Sequence, residues 1–255
     1  CMRGVILDSD SFDRGDLDTA ALDNALDHWT RHRSTMSDEV PKRLEGYEVV
    51  VTNKVVIDAT AMESSALRLI VVAATGTNNI DLTAAARRGI TVCNVRDYAS
   101  AAVSQHVFSL VLALVTHLGD YTRAVGQGRW QQSKVFCMLD YPIRELAGLT
   151  LGIIGYGNLG RRVAQIAQGF QMQVLICARP GSEAVPDGRV PLNTLLRTAD
   201  VISLHCPLSD ATRNLIGKAQ LQKMKSDAIL INTARGGIVN EDDLAAALRQ
   251  GNIGG

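Results

Sequence analysis

The chain has 255 residues, enough for one large domain or two ordinary ones. Apolar residues make up 46% of it, charged residues make up 20%, and the formal net charge is zero. This is the composition of a globular protein without a field that attracts nucleic acid or an anionic membrane surface. The most apolar segment, residues 103–118, contains two histidines and three hydroxyl side chains, which is typical of a buried helix and not of a membrane span.

The first residues of the chain and the spacing of its cysteines bear on the cellular compartment of the protein. The chain opens directly on a strand-like run, so we expect no signal peptide. The five cysteines are widely spaced and include no C-x-x-C pair, which predicts reduced thiols and no metal site. A cytoplasmic protein fits both features.

The N-terminal part of the chain predicts alternating strands and helices. Strands are predicted at residues 4–7, 48–51, 69–72 and 89–93. Helices are predicted at residues 17–29, 59–63 and 81–88. Asp81 is a good N-cap for the last helix, and the short basic cluster at 31–33 is assigned to a solvated helix end. Near-continuous apolar strands between helices predict a parallel sheet covered on both faces.

A long helix over residues 99–118 begins a second series of the same kind. Strands are predicted at residues 151–154, 173–177, 201–204 and 228–232. Helices are predicted at residues 158–170, 191–197, 218–224 and 241–249. The segment 126–145 lacks periodicity and is predicted to be a surface loop. We therefore expect an α/β protein of two domains, 1–99 and 100–255.

A glycine-rich loop, Gly-Tyr-Gly-Asn-Leu-Gly at 155–160, lies between a predicted buried strand and a predicted helix. In this context Gly155 allows a tight turn, Gly157 lets the backbone approach a pyrophosphate, and Gly160 lets helix and strand pack closely. The free N–H groups and the dipole of the helix start favour a phosphate. The pattern predicts a dinucleotide site; the alternative is an ordinary strand-to-helix turn.

The end of the next predicted strand bears on the choice of dinucleotide. An acidic residue is expected there for the ribose 2′-hydroxyl, but Ala178 stands near that position and Arg179 follows it. A guanidinium pairs well with a 2′-phosphate, and the missing carboxylate removes the repulsion against one. This favours NADP over NAD; the alternative is that Arg179 stacks on adenine or lies in solvent.

Three further segments, together with the glycine loop, follow one another along the chain in an order that is typical of one enzyme family. They are His205-Cys206-Pro207-Leu208 with Thr212 soon after, residues 231–237 (Ile-Asn-Thr-Ala-Arg-Gly-Gly), and residues 72–81. In this order the chain resembles the D-isomer-specific 2-hydroxyacid dehydrogenases over nearly its whole length. Residues 103–106, 128–131 and 142–148 are most similar to the glycerate dehydrogenase (hydroxypyruvate reductase) branch.

The resemblance implies two doubly wound parallel-sheet domains. Residues 1–99 would form a flavodoxin-like substrate domain and residues 100–255 a Rossmann domain that binds NAD or NADP. The active site would lie in the cleft between them, and a homodimer would be built largely on the nucleotide domain. The family's fold continues beyond Gly255, so the resemblance implies that its C-terminal part is absent from this chain.

The resemblance also implies roles for particular residues. Arg235 matches the catalytic arginine that holds the substrate carboxylate and polarises the keto oxygen, and Thr75 and Gly76 match the loop whose N–H groups bind that carboxylate. The remaining matches bind cofactor: Asn158 and Leu159 at the pyrophosphate, His205, Cys206, Pro207 and Thr212 on the adenosine side, and Thr233, Ala234 and Arg235 at the nicotinamide.

Elementary chemistry supports the role of Arg235. It ends a predicted parallel strand, where open α/β sheets place ligands, and its guanidinium keeps its proton and matches a carboxylate in shape. The alternative is a capping or surface arginine. Lys54 also ends a predicted strand and is a second candidate for substrate binding; a solvated lysine is the alternative.

The proton donor is the part of the site that the chain does not offer. The family uses a histidine whose pKa is raised by a glutamate, and both matching positions lie beyond Gly255. His28, His32 and His117 are predicted on or at the ends of helices, and His106 lies inside the long helix. His205 belongs to the adenosine side, so none of these fits the acid.

The predicted activity is hydride transfer between NAD(P)H and a small 2-keto acid, with hydroxypyruvate and glyoxylate as the leading substrates. The cofactor carries the hydride, and the protein supplies orientation and charge stabilisation. Two alternatives stay open, because fold does not fix function. One is a dinucleotide-sensing corepressor, and the other is an enzyme of the same superfamily that oxidises formate or phosphite.

Overall fold

The computed structural model of the chain describes residues 2–63, 65–182 and 184–255. The chain divides into two compact units, Cys1–Tyr98 and Ala99–Gly255. Each unit has its own sheet, and every strand pairing in both sheets is parallel. The predicted α/β class is confirmed.

Unit 1 contains five strands and four short α-helices among its described residues. The strands are β1 (Arg3–Ile6), β2 (His28–Arg31), β3 (Val49–Thr52), β4 (Leu69–Val72) and β5 (Thr91–Asn94). The helices are α1 (Ala20–Asp23), α2 (Val40–Leu44), α3 (Ala59–Glu63) and α4 (Leu82–Arg87). The strand order β2-β1-β3-β4-β5 is that of flavodoxin-like folds, in which the connections change side between β1 and β3. Ligand sites of such sheets lie at the carboxyl end of that switch point.

The apolar runs of unit 1 form its core as predicted. Val5, Val50 and Ile70, from three adjacent strands, are fully buried in one cluster. Asp81 caps α4, since its carboxylate accepts the N–H of Ala84. The hydrophobic effect of burying these side chains is the main force that favours folding of this unit.

The helix predicted over 17–29 and the helix end predicted at 31–33 are wrong, because residues 28–31 form strand β2. The helix is limited to α1, and the chain then pairs with β1 as an edge strand. Trp29 lies directly against Gly4 of β1, where any Cβ would overlap the indole ring. Because Trp and Thr favour strands when they can pack on a neighbouring strand, this cross-strand contact overrides the local helical pattern. His28 is therefore in a strand, and His32 directly follows it.

Unit 2 contains four strands and seven helices among its described residues. The strands are β6 (Thr150–Ile154), β7 (Gln173–Ile176), β8 (Val201–Leu204) and β9 (Ile229–Asn232). The helices are α5 (Ser100–Val115), α6 (Leu118–Gly126), α7 (Arg129–Gln132), α8 (Asn158–Gly169), α9 (Leu192–Thr198), α10 (Lys218–Leu221) and α11 (Glu241–Arg249). The strand order is β7-β6-β8-β9, so the connections change side between β6 and β8.

Helices cover both faces of this second sheet. Leu151 and Ile153 of β6 are buried in one cluster with residues of α5 and α8, whereas Ile154 is buried in a second cluster with residues of α9. Gly152 lets α9 approach closely, because a Cβ there would lie 2.6 Å from the Leu195 side chain. The continuous apolar character of β6 is thus explained by burial on both sides.

Two helix predictions in unit 2 are wrong in extent. The helix predicted over 99–118 is broken after α5: His117 adopts a left-handed φ of 50°, and α6 continues at an angle of 62°. At the break the carbonyl of Leu112 accepts both the backbone N–H of Thr116 and the Thr116 hydroxyl, and such an added side-chain bond often accompanies a bend. The loop predicted over 126–145 contains α7, which begins after Gly128 in its left-handed conformation. Most other predicted bounds differ by one to three residues.

No single helix of the described residues is both long and apolar enough to span a membrane, and only the bent pair α5–α6 passes by length and composition. No group of three potential metal ligands is found in the described part of the chain.

Candidate active site

The glycine loop turns from β6 into α8 with no room for side chains at two of its positions. Gly155 has a φ of 97°, and a Cβ on it would lie 2.5 Å from the backbone nitrogen of Cys206. A Cβ on Gly160 would overlap the carbonyl oxygen of Gly155. Gly157, in contrast, has no atom within 4 Å of its would-be Cβ. Two glycines therefore close the turn, and the third leaves open space in front of the helix.

That open space faces the start of α8, where Asn158 and Leu159 are the first two residues. Among the described residues no side chain caps this helix, since Gly157 occupies the N-cap. The N–H groups of a first helical turn have no partner within the helix, and the helix dipole adds partial positive charge. An uncapped start beside open space is suited to a phosphate group.

The loop lies at the switch point of the sheet. The backbone of His205 and Cys206, which follows β8, touches Gly155, which follows β6. Open α/β sheets bind ligands in the crevice that opens where neighbouring connections leave on opposite sides. The predicted loop and the predicted His-Cys-Pro segment are therefore brought together at this edge.

Two polar atoms at this edge are buried without a hydrogen-bond partner. His205 shares a hydrogen bond of 2.9 Å with the Ser203 hydroxyl through Nε2, but its Nδ1 has no partner among the described residues. The hydroxyl of Thr233, after the adjacent strand β9, has none either. Buried polar atoms are nearly always paired, so each exception calls for an explanation. A polar ligand in the crevice would supply these partners, and the residues present fit a dinucleotide.

Burial also lowers the pKa of His205 from 6.5 to about 4. The imidazole is therefore neutral at physiological pH, and a neutral imidazole with so low a pKa is unsuited to donate the proton in a reaction near pH 7. This agrees with the assignment of His205 to the adenosine side.

The depressed pKa of His205 predicts a pH dependence of stability. The unfolded chain takes up this proton below pH 6.5, whereas the folded chain does so only near pH 4. The free energy of unfolding should thus fall by up to about 3 kcal/mol as the pH drops through this window. Urea unfolding at pH 4.5–7.5 measures it. His205→Gln serves as the control, and its free energy of unfolding should change less between pH 4.5 and 7.5. If the free energy of unfolding changes equally with pH in both proteins, the pKa of His205 is not depressed.

The thiols beside the crevice are unreactive by environment. Cys177 follows β7 and Cys206 follows β8, and both are buried. Burial raises the pKa of the Cys177 thiol to about 11 and also raises the pKa of Cys206. Since only the thiolate is a nucleophile, both cysteines pack in the core of unit 2 as small apolar groups.

The predicted ribose end of the site lies after β7. Ala178 is buried and Arg179 is exposed, and the Arg179 side chain makes no hydrogen bond or ion pair among the described residues. The guanidinium of Arg179 is therefore available for a ligand.

Thr212 has a bonding pattern that could not be predicted from the sequence. Its hydroxyl donates to the carbonyl of Pro207 at 2.7 Å and accepts the N–H of Ser209 at 2.8 Å. It is buried, and these bonds close the turn that carries Cys206 and Pro207. Thr212 thus shapes this segment from within.

Arg235 lies in a turn after β9. Asn232 holds the turn, because its side chain accepts the N–H of Ala234 and donates to the carbonyl of Arg235. The guanidinium is exposed, and its only hydrogen bond among the described residues is to the carbonyl of Ala234, at 2.7 Å. Without a carboxylate partner, it keeps most of its donors for an anionic ligand.

The predicted substrate-binding residues of unit 1 follow two adjacent strands. Lys54 follows β3 and is exposed, while Thr75 and Gly76 follow β4. The two loops are tied together, since the Asn79 amide donates to the carbonyl of Val55 at 2.9 Å. The three residues therefore belong to one edge of the unit 1 sheet.

A buried carboxylate at this edge was not predicted from the sequence. Asp8, after β1, accepts the backbone N–H groups of Asn53 at 2.9 Å and Lys54 at 2.7 Å, one on each oxygen. The Asn53 amide donates to the carbonyl and hydroxyl oxygens of Ser11. Asp8 therefore fixes the loop that presents Lys54. The only signal in the sequence is a polar residue at the end of a strand.

Asp8→Ala should lower the free energy of unfolding by about 2 to 3 kcal/mol, because it leaves the buried N–H of Asn53 and the partly buried N–H of Lys54 without an acceptor. Asp10→Ala is the matched control: Asp10 pairs with Arg33 on the surface, and such exposed pairs contribute little. Urea unfolding of both variants measures the difference. Equal losses would show that Asp8 does not fix the loop.

Known proteins similar to this chain agree with the geometry. The sequence profile of the D-isomer specific 2-hydroxyacid dehydrogenase family, NAD binding domain, matches residues 108–255, more than half of the chain. A glycerate dehydrogenase of Methylorubrum extorquens is 46% identical over 247 residues, covering 95% of this chain and 77% of that protein. A hydroxypyruvate reductase of Blautia hydrogenotrophica is 35% identical over 258 residues, covering 99% of this chain and 80% of that protein.

The fold agrees as well. A crystal structure of D-lactate dehydrogenase from Aquifex aeolicus, complexed with NAD and lactic acid, is similar with a TM-score of 0.82 at 28% identity, covering 99% of this chain and 75% of that one. The predicted family, its branch and the predicted class of enzyme are confirmed. The chain therefore belongs to the family of D-isomer specific 2-hydroxyacid dehydrogenases, in the branch of glycerate dehydrogenase and hydroxypyruvate reductase, and is an oxidoreductase of hydroxy acids that uses a nicotinamide dinucleotide.

Proposed function

We propose that the protein interconverts hydroxypyruvate and D-glycerate, or glyoxylate and glycolate. The observation that carries this proposal is the Arg235 guanidinium, which has no carboxylate partner among the described residues and lies on the same sheet edge as the glycine loop. The relatives named glycerate dehydrogenase and hydroxypyruvate reductase support these small 2-keto acids. Larger or differently charged substrates would need further recognition groups.

The proposed roles of unit 2 combine the family resemblance with the geometry of the glycine loop. The N–H groups at the start of α8, with Asn158 and Leu159, hold the pyrophosphate, and the Gly157 position lets it approach. His205, Cys206 and Pro207 line the adenosine side. Thr233, Ala234 and Arg235 border the nicotinamide, which supplies the hydride chemistry when bound. Residues 100–255 would thus be the nucleotide-binding domain.

For the substrate, we assign Arg235 to bind the carboxylate and to polarise the C2 oxygen. A bidentate guanidinium–carboxylate pair fixes orientation as well as charge. Residues 1–99 would be the substrate domain, with the N–H groups of Thr75 and Gly76 and the amine of Lys54 as its contribution. The fixed loop behind Lys54 favours a preorganised anion site, because both loops are tied by hydrogen bonds.

NADP is the proposed form of the cofactor. Ala178 leaves no carboxylate at the end of β7 to repel a 2′-phosphate, and the exposed guanidinium of Arg179 is available to bind one. The free thiols of Cys93, Cys137, Cys177 and Cys206 fit a reducing compartment, and we place the reaction in the cytoplasm.

A homodimer through unit 2 is also proposed. Five large apolar side chains are exposed in one segment around α7: Trp130, Val135, Phe136, Leu139 and Ile143. Phe136 is 93% exposed and Leu139 is 84% exposed, and clusters of this kind mark interfaces. A second copy is the occupant we propose. Phe136→Asp should shift the protein from dimer to monomer in sedimentation velocity, and a monomeric unmutated protein would overturn this part.

The activity is tested by oxidation of NADPH and NADH, followed at 340 nm with hydroxypyruvate and glyoxylate. The 255-residue chain is compared with a protein extended C-terminally to the length of the glycerate dehydrogenase. Turnover by the extended protein alone supports the proposal and puts the proton donor beyond Gly255. Turnover of neither acid by either protein, when both are folded and bind NADPH, would overturn it. Formate and phosphite with NADP⁺, assayed in parallel, test the other reaction class.

A further inference from the structure

A second guanidinium lies at the end of β7, beside the predicted ribose site. Arg189 is far from the end of β7 along the chain, but its Nη1 donates to the carbonyl of Cys177 at 3.1 Å. Its charge acts on the Cys177 thiol and favours the thiolate there, although burial outweighs it. The Arg189 guanidinium is therefore held next to Ala178 and Arg179.

The backbone fixes this arrangement. Val190 makes a parallel bridge with Cys177, and the N–H of Ala178 donates to the carbonyl of Val190 at 2.8 Å. The N–H of Val190 in turn donates to the carbonyl of Ile176 at 2.9 Å. Val190 packs against the core of unit 2, and side chains of an extended segment alternate in direction, so Arg189 points away from that core.

The Arg189 guanidinium also lies near the glycine loop. Its guanidinium carbon lies 5.9 Å from the ring centroid of Tyr156, the second residue of that loop. The guanidinium carbon of Arg161, on α8, lies 5.8 Å from the same ring. The Tyr156 ring thus lies near two guanidinium cations, one on α8 and one on the segment paired with Cys177.

We infer that Arg189 is a specificity-determining residue that binds the 2′-phosphate of NADP. A guanidinium has five N–H donors, and the bond to Cys177 uses one of them. The remaining donors can pair with a phosphate in a bidentate way. The Arg179 side chain is exposed and has no polar contact among the described residues, whereas Arg189 is held in place before the ligand arrives. This inference rests on the proposed nicotinamide-dependent function and deepens it.

The test uses adenosine 2′,5′-bisphosphate and 5′-AMP, which differ by the 2′-phosphate alone, with binding to the full chain measured by calorimetry. Arg189→Gln should weaken binding of the bisphosphate by about 10- to 50-fold, the effect of losing a charge-assisted bond, and change 5′-AMP binding by less than about twofold. Arg189→Lys should be intermediate, because it keeps the charge but not the fork.

Arg197→Ala is the matched control. Arg197 is exposed in the last turn of α9, which leads back to the amino end of β8, at the edge of the sheet away from the site. Arg197→Ala should leave the affinities for the bisphosphate and for 5′-AMP unchanged. Arg179→Ala should weaken binding of the bisphosphate and leave binding of 5′-AMP unchanged.

Equal weakening of both ligands by Arg189→Gln would show a structural role and overturn the inference, as would no weakening. An unmutated protein that binds 5′-AMP as tightly as the bisphosphate would overturn it too. None of these results touches the dehydrogenase proposal, which fails only if neither cofactor supports turnover of a 2-keto acid.

Discussion

Substitution of Gly160 by alanine should abolish dinucleotide binding and destabilise unit 2. The new Cβ would overlap the carbonyl oxygen of Gly155, which is backbone and cannot rotate away. Helix α8 must then move off β6, which disturbs the loop and the packing of Val163 and Ala164 in the core. We expect a loss of about 1 to 3 kcal/mol in the free energy of unfolding, in the range of overpacked buried positions.

Gly169→Ala is the matched control within the same helix. Its would-be Cβ has no atom within 4 Å, and alanine favours a helix over glycine, so stability should be unchanged or rise by up to about 1 kcal/mol. Thermal unfolding and NADPH titration by fluorescence measure both variants. Unaltered NADPH binding by the Gly160 variant would show that the loop is not the cofactor site.

Gly157→Ala separates binding from stability. Its would-be Cβ meets open space, so the protein should fold with nearly unchanged stability. The methyl group would, however, stand where we propose that the pyrophosphate approaches, and NADPH affinity should fall by more than about tenfold. Together the two glycine variants distinguish a structural turn from a phosphate site.

Loss of the Arg235 guanidinium should have the largest effect on catalysis. Arg235→Gln removes the positive charge that, in our assignment, binds the substrate carboxylate and stabilises the developing alkoxide. A buried charge pair with its hydrogen bonds contributes on the order of 3 to 5 kcal/mol when one partner is removed, so kcat/KM should fall by about 10²- to 10⁴-fold. Since Arg235 is exposed and its guanidinium makes one hydrogen bond among the described residues, stability should change little.

The measurement is steady-state turnover of hydroxypyruvate by the extended protein, with NADPH affinity titrated separately. NADPH affinity should stay within about threefold of the unmutated value, because the guanidinium is assigned to the substrate carboxylate, although Arg235 also borders the nicotinamide. Arg249→Ala, in the exposed last turn of α11, is the control for loss of a positive charge. A kcat/KM close to that of the control would remove Arg235 from the mechanism.

Much of the fold could be predicted from the sequence because the central strands of both sheets are buried on both faces. Such strands appear as continuous apolar runs, and the bounds predicted for β4 and β8 agree with the structure. The glycine loop was recognisable because tight packing at Gly155 and Gly160 leaves no alternative residue. The apolar runs and the glycine loop each depend on a few consecutive residues, so they can be recognised from the sequence.

The features that were missed depend on contacts between distant residues. Strand β2 exists because Trp29 packs on Gly4, and no local pattern at 28–31 reports that neighbour. Asp8 is 45 residues from Asn53, so the pair becomes visible only once β1 and β3 lie side by side. The break after α5 depends on the backbone of His117, a residue that fits a helix equally well. Tertiary context decides each of these cases.

The reaction rate of the buried thiols Cys177 and Cys206 can be used to measure how often unit 2 opens locally. Cys93 is exposed and should react with a maleimide at once, whereas Cys177 and Cys206 can react only after the protein around them has opened. The labelling rate of these two cysteines, followed by mass spectrometry, therefore reports local unfolding of the sheet edge that we assign to the cofactor. A bound dinucleotide should slow that labelling in proportion to its affinity, without any catalysis taking place.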